Sequence, residues 1–189
     1  MATRFINTSI AGGALVALLA LTGCTAGAQP EGANAAPASV NDTDLHFLAM
    51  MTPHHEQAVQ MSDIVLAAGG VSEQTRDIAL RIRSGQQEEI DIMLGWVGEW
   101  QQEPLLAQHA GHIANGMVTP EAMAALAALD GPEVEQTFLE EMIFHHEGAI
   151  AMTQDQIDNG GHPELRALAQ QMIDVQGAEV VEMNGLLAR

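Results

Sequence analysis

The sequence of 189 residues contains one cysteine, no lysine and no tyrosine. The lone cysteine, Cys24, excludes a disulfide within the chain, and it leaves the remainder without a thiolate metal ligand or a catalytic thiol. The absence of tyrosine removes a side chain suited to radical chemistry. Any chemistry in this protein must therefore rest on other residue types.

Positive charge is also scarce. Six basic residues face 25 acidic ones, which gives a formal net charge of −19. Residues 1–23 contain Arg4 as their only charged residue, so the chain without them has 5 basic and 25 acidic residues and a charge of about −20. Such a chain repels nucleic acid and anionic lipid head groups and attracts cations. We expect no nucleic-acid partner.

The amino terminus has the order of a secretory signal. Arg4 precedes an apolar run over residues 10–21, and Leu-Thr-Gly then leads to Cys24. The run is shorter than the ~20 apolar residues of a comfortable membrane span. The ending resembles a bacterial lipoprotein signal, in which the cysteine is lipidated; the alternative is an ordinary signal peptide. We predict a lipoprotein signal peptide at 1–23, lipidation of Cys24 and an extracytoplasmic protein anchored to the cell membrane by that lipid.

Composition divides the remainder in two. Residues 24–41 are rich in Ala, Gly, Pro, Ser and Asn, which predicts a flexible tether. Residues 42–189 are long enough for one domain with its own core. Within that domain, residues 47–70 align without a gap to residues 138–161. The segments MTPHHEQAVQM and MIFHHEGAIAM lie at the centre of the repeat.

Each copy has the pattern of a helical hairpin. Apolar residues recur at steps of three and four, and a Gly-Gly pair separates two long segments. Gly69-Gly70 predicts a left-handed helix end, Ser72 predicts a cap, and Pro163 predicts a helix start. The connector over residues 103–118 is expected to be irregular, followed by a short helix from 119 to about 129. Two hairpins that bury their apolar stripes together predict an all-α four-helix bundle with one short connecting helix.

The repeated histidines and methionines are candidate metal ligands. A helix turns by about 100° per residue, so positions 51, 54, 58 and 61 share the apolar stripe. We therefore expect His54 and His145 inside the bundle, and His55 and His146 at the edge of the stripe, at the mouth of each site. The predicted ligands are Met51, His54, His55 and Met61 in the first copy and Met142, His145, His146 and Met152 in the second.

Further residues could support these ligands. The partner helices carry inward Glu and Met at equivalent positions, and the connector carries two histidines where packing does not require them. These possible ligands or supporting residues are Glu89, Glu179, Met93, Met183, His109 and His112. The alternative interpretation is structural, because methionine commonly fills cores and a buried histidine beside a glutamate can be a satisfied polar pair.

Ligand softness bears on the choice of metal. Thioether and imidazole together favour copper, and thioether selects Cu(I), while zinc or iron stays possible. A di-iron bundle needs a Glu-x-x-His motif, and neither histidine pair has Glu three residues before it.

The quoted segments also resemble the bacterial domain of unknown function 305 family, over about residues 44–187. This resemblance implies a ferritin-like four-helix bundle, common export and, for some members, copper binding and tolerance. It carries the metal motif to the same eight Met and His residues.

Three functions follow as hypotheses. The first is an exported lipoprotein that binds copper for sequestration or tolerance. The second is a non-metal interaction module whose histidines sense pH. The third is a metal-centred redox enzyme, which the sequence favours less because no substrate pocket is indicated.

Overall fold

The computed structural model of the protein describes residues 36–109 and 115–189, with His109 described by its backbone only. The predicted signal peptide, Cys24, most of the predicted tether and His112 lie outside the described residues. The domain boundaries proposed from composition therefore stay predictions.

The described residues form helices and no strand. None of these helices is long and apolar enough to cross a membrane. In chain order the helices are α1 (Asp42–Ala67), α2 (Glu73–Glu99), α3 (Glu103–His109), α4 (Pro120–Leu126), α5 (Gly131–Asn159) and α6 (Pro163–Leu187).

Local chemistry explains where the long helices begin and end. At the start of α1, the Asn41 side chain accepts from the Asp44 N–H at 3.1 Å, and the Asp44 carboxylate accepts from the Asn41 N–H at 2.8 Å, a reciprocal capping box. Ser72 caps α2 by accepting from the Thr75 N–H at 3.3 Å, as predicted. The end of α1 differs from the prediction, because its cap Ala68 is extended with ψ of 148°, and the left-handed φ of 74° occurs at Gly70, in the turn beyond the helix. Pro163 lies in the first turn of α6.

The four long helices pack as the predicted bundle. Helix α1 packs along α2 and α5 along α6, while α1 and α5 contact each other at the centre. One apolar cluster joins Met61 of α1 to Met142 of α5, and a second joins Met51 of α1 to the partly buried Met152 of α5. Early residues of one helix thus lie with late residues of the other, so α1 and α5 run antiparallel. The all-α four-helix bundle built from two hairpins is confirmed.

A buried carboxylate fastens the start of α1 to the second hairpin. Asp44 is fully buried and accepts from the Gln156 amide at 2.6 Å, the Gly161 N–H at 3.0 Å and the His162 N–H at 3.1 Å. These donors satisfy a charge that would be costly to bury alone. The contact fixes the α5–α6 turn against the first hairpin.

The connector differs from the prediction in one respect. Residues 103–118 were expected to be irregular, but Glu103–His109 forms helix α3. Pro104 lies in the first turn, where a missing N–H costs no helical hydrogen bond, so it starts this helix instead of preventing it. The bundle therefore has two short connecting helices, α3 and α4, in the described residues rather than one.

The end of the connector rests on both central helices. The Gln57 amide of α1 donates to the Val118 carbonyl at 2.8 Å and accepts from the Val118 N–H at 2.7 Å. On α5, Gly148 lies so close that a Cβ there would stand 1.7 Å from the Asn115 carbonyl oxygen. Asn115 and Gly116 turn the chain at this point with φ of 50° and 86°. Gln57 and Gly148 occupy the same position in the two repeats.

This contact gives a stability prediction. Gly148→Ala should lower the free energy of unfolding by about 1–3 kcal/mol, because the connector backbone must move to admit the methyl group. Gly177→Ala on α6 is the matched control, since a Cβ at Gly177 meets nothing within 4 Å. That control should be slightly more stable than the wild type, because alanine is the better helix former. Urea unfolding of both variants checks this, and equal stability of the two would contradict the close contact.

Candidate metal centre

The two interior histidines meet at the centre of the bundle. His54 of α1 and His145 of α5 have ring centroids 3.7 Å apart, with the ring planes inclined by 38°. Their residues are 1% and 0% exposed, so the predicted interior position is confirmed. Each copy of the repeat therefore contributes one histidine to the same point in the bundle.

Several ring nitrogens in this pair have no protein partner. His54 Nε2 donates to the Asn115 carbonyl at 3.0 Å, which leaves its Nδ1 as a lone pair without a donor. Neither nitrogen of His145 has a hydrogen-bond partner among the described residues. Buried polar atoms are nearly always paired, so unpaired ones require an explanation such as a bound ion or water.

The positions of His55 and His146 correct the sequence analysis. Both were expected at the edge of the stripe, but both are fully buried. His55 Nε2 lies 2.7 Å from Glu89 Oε2, and His146 Nε2 lies 2.8 Å from Glu179 Oε2. Helices α1 and α5 are each covered on two sides, by one another and by a hairpin partner. A residue about 100° away from the central contact therefore faces the partner helix rather than solvent.

The two glutamates orient these histidines. Each side chain is only 12% exposed, which agrees with the predicted inward direction. When the imidazole is neutral, a carboxylate that accepts from Nε2–H fixes the tautomer and leaves Nδ1 as the electron-pair donor. Nδ1 has no partner in either His55 or His146. The sequence left two roles open for Glu89 and Glu179, metal ligand or supporting residue. These contacts are those of supporting residues; whether the glutamates also bind metal stays a prediction.

Burial keeps the central pair neutral. The pKa of His54 falls from 6.5 to about 3, chiefly because its charged form would lose hydration, with further lowering by the charges of His55 and His146. The Asn115 carbonyl acts in the opposite direction. Burial also lowers the pKa of His145 well below its usual value, followed by the charges of His54, His146 and His55. Neutral imidazole is the form that binds metals.

The methionines surround this pair in two groups. Met51 and Met93 belong to one apolar cluster, with Met152 partly buried against it, and Met61, Met142 and Met183 belong to the other. Each group draws thioethers from both repeats, so a methionine of one copy has its neighbours in the other copy. The symmetry is imperfect, because Met61 is fully buried while its counterpart Met152 is not.

The other common metal-binding side chains do not form a cluster of their own in the described residues. Across residues 36–109 and 115–189, no three His, Cys, Asp or Glu side chains stand where they could jointly hold a metal ion. A centre built from the described residues therefore needs other donors as well, such as thioether sulfur, amide oxygen or water. The connector histidines His109 and His112, which were predicted as further ligands, have side chains outside the described part of the chain.

Sequence reasoning did not identify Asn115 or Gln57, which place the connector over the histidines. The available signal was a difference between the repeats. At one position of otherwise similar segments, the first copy has Gln57 and the second has Gly148. The sequence does not explain that difference by itself, because its cause is the connector, which contacts the two helices in different ways.

Comparison with known proteins places the chain among its relatives. Residues 44–187 match the sequence model of a family described as a domain of unknown function, DUF305. A DUF305 fragment from Deinococcus radiodurans is 30% identical with a TM-score of 0.70, over 79% of this chain and 98% of that one. A DUF305 protein from Streptomyces coelicolor, predicted to be secreted, is also 30% identical with a TM-score of 0.70, over 80% and 94%.

The structural neighbours include a protein solved with bound copper. CopM in the Cu(II)-bound form is 29% identical with a TM-score of 0.67, over 77% of this chain and 95% of that one. CopM in the Cu(I)-bound form is 27% identical with a TM-score of 0.63, over 76% and 94%. Among curated proteins, none matches the chain.

The neutral histidines predict a loss of stability in acid. As the pH falls below 6.5, the unfolded chain protonates these side chains while the folded one does not, so stability falls with the pH. For His54, whose folded pKa is about 3, the change from pH 7.5 to 5.0 should cost roughly 2 kcal/mol, and His145 acts in the same direction. Urea unfolding at both pH values should show a smaller drop for His145→Gln than for the wild type. The same drop in His145→Gln and in the wild type would contradict the assignment.

Proposed function

Because the chain belongs to the DUF305 family, whose solved relatives include CopM with bound copper, we propose that it binds copper outside the cytoplasm. The observation that carries the proposal is the central histidine pair. Two imidazoles from two repeats lie 3.7 Å apart, buried, neutral and with unpaired nitrogens. A core that needed only packing would fill this volume more favourably with apolar side chains.

The residues around the pair fit a soft metal ion. Thioethers and neutral imidazoles bind Cu(I) well, and no thiolate is needed. Among the described residues, the ligands proposed for the ion are His54 and His145 with the methionines of the two clusters, Met51, Met61, Met142 and Met152. His55 and His146, held by Glu89 and Glu179, offer Nδ1 as further donors. Zinc and iron fit less well, because the proposed donors are thioethers and imidazoles, and thioether selects Cu(I).

The role proposed for the bound ion is sequestration. The two central histidines, His54 and His145, are neutral, so they bind metal near neutral pH without first losing a proton. The net charge of −19 attracts cations toward the protein. A lipid anchor at Cys24 would hold the domain at the outer surface of the membrane, where it would intercept copper. The interaction-module and redox-enzyme hypotheses stay hypotheses from the sequence.

The histidine pair is tested by anaerobic titration with Cu(I) against a chromophoric chelator. Wild-type protein should compete for the ion, and the His54→Ala/His145→Ala variant should lose this binding. Cu(I) at a hundred times its Kd should stabilise the wild type by about 2.7 kcal/mol, whereas Mg²⁺ should not. Circular dichroism confirms that the variant is folded. Unchanged Cu(I) binding by a folded variant would remove the histidines from the site.

The methionines make a separate prediction. Met51→Leu/Met142→Leu should weaken Cu(I) binding with little change in stability, because leucine has nearly the same volume. Met172→Leu is the matched control, since Met172 is also buried in an apolar cluster but lies outside the repeated motif. Chelator competition and urea unfolding of the three proteins provide the comparison. Equal Cu(I) affinity in all of them would make the methionines core residues only.

A further inference from the structure

A second polar feature lies between α2 and α6, apart from the central histidine pair. A cavity of about 200 Å³, partly open to solvent, lies between these helices. Its lining includes Gln86 and Glu89 from α2 and Gln176 and Glu179 from α6. Each helix thus presents the sequence Gln-x-x-Glu, and residues three apart lie on the same face of a helix. The two pairs are equivalent in the internal repeat, so both hairpins present the same groups to one cavity.

The glutamine amides have no partner in the protein. Gln86 is 4% exposed and Gln176 is 2% exposed. Neither the oxygen nor the nitrogen of either amide makes a hydrogen bond with the described residues. An unpaired buried polar group lowers stability, and here it occurs twice, at equivalent positions. Packing alone does not require it, because leucine or methionine would fill the same volume.

The cavity has the charge of a site for a dication. Its ionised lining residues are Glu88, Glu89, Glu179 and Arg81, three negative and one positive, which gives a net charge of −2. Arg81 also pairs with Glu182 at 2.6 Å, which directs its charge away from the carboxylates of the cavity. The Oε2 atoms of Glu89 and Glu179 accept from His55 and His146, and a carboxylate has a second oxygen that can accept as well.

We propose that this cavity binds one hard divalent cation, of the class of Ca²⁺ or Mn²⁺. The ligands are the side-chain oxygens of Gln86, Gln176, Glu89 and Glu179, completed by water. Hard cations take carboxylate and amide oxygens together, and they keep water molecules as further ligands. The amide oxygens gain a partner, and the −2 charge is neutralised. The site differs from the proposed copper centre in ligand softness and shares with it only Glu89 and Glu179, which contact His55 and His146 through Oε2. The glutamine ligands belong to this site alone, so it does not depend on copper.

The test uses Ca²⁺ and Mn²⁺ as probes, with isothermal titration calorimetry on the metal-free mature chain. The wild type should bind one cation per chain and melt at a higher temperature with it. Gln86→Leu/Gln176→Leu should weaken binding at least tenfold, while its melting temperature without cation is equal or higher, because the unpaired amides are gone. Gln87→Leu/Gln170→Leu is the matched control on the same two helices, at exposed glutamines outside the cavity lining. It should bind like the wild type.

Three results would overturn the proposal. The wild type could show no uptake at millimolar cation, which would mean that water alone occupies the cavity. The Leu variant could bind as tightly as the control, which would assign the cation to the acidic surface. A monovalent organic cation such as guanidinium could bind in place of the metal ions. If the Leu variant does not fold, Glu89→Gln/Glu179→Gln decides, and retained binding in that variant overturns the proposal. Cu(I) affinity measured on the Leu variant should be unchanged, so this proposal and the copper proposal can fail separately.

Discussion

The close approach of α1 and α5 at His54 and His145 is the constraint on which the rest of the structure depends. Two imidazoles whose rings lie 3.7 Å apart inside a bundle cannot both be charged, so burial and mutual repulsion keep them neutral. The neighbouring residues are arranged to accommodate two neutral histidines. Glutamates from the outer helices orient the adjacent histidines, the Asn115 carbonyl accepts from His54, and apolar clusters rich in methionine lie on both sides. A polar layer between two apolar layers fixes the register of the central helices, because a shift of either helix would bury histidine against hydrocarbon.

The same arrangement separates two kinds of chemistry within one small bundle. The centre offers nitrogen and sulfur from α1, α5 and their partners, which suits a soft ion. The cavity between α2 and α6 offers oxygen from the same repeat positions of the two hairpins, which suits a hard one. The His55–Glu89 and His146–Glu179 pairs stand between these regions and belong structurally to both. This arrangement follows from the duplication, because each hairpin supplies half of the residues in every polar layer.

The fold followed from the sequence because its determinants are local or periodic. Helix spacing, Ser72, Gly70 and Pro163 specify the hairpins, and their duplication specifies the bundle. The site followed only in part. The stripe on one helix shows which residues are inside, and it placed His54 and His145 correctly. It does not show which helix a residue faces, so the edge position expected for His55 and His146 was wrong. The pairing of the two histidines, the unpaired amides of Gln86 and Gln176 and the path of the connector are long-range facts that no single helix encodes. Helix α3 was not predicted because a proline that begins a helix, as Pro104 does, and one that breaks it look alike in a short segment.

The unequal support of the connector has a consequence for the ancestry of the chain. Two identical hairpins could assemble with twofold symmetry, but a single linking segment can cross their junction in only one direction. At position 57, the glutamine amide forms hydrogen bonds with the backbone of that segment. At the equivalent position 148, a glycine leaves room for the segment because it has no side chain. Two copies of the second hairpin would have room for the segment at glycine but no glutamine to bind its backbone. Two copies of the first would have the glutamine but no glycine to make room. The halves have therefore become complementary parts, and neither can now replace the other.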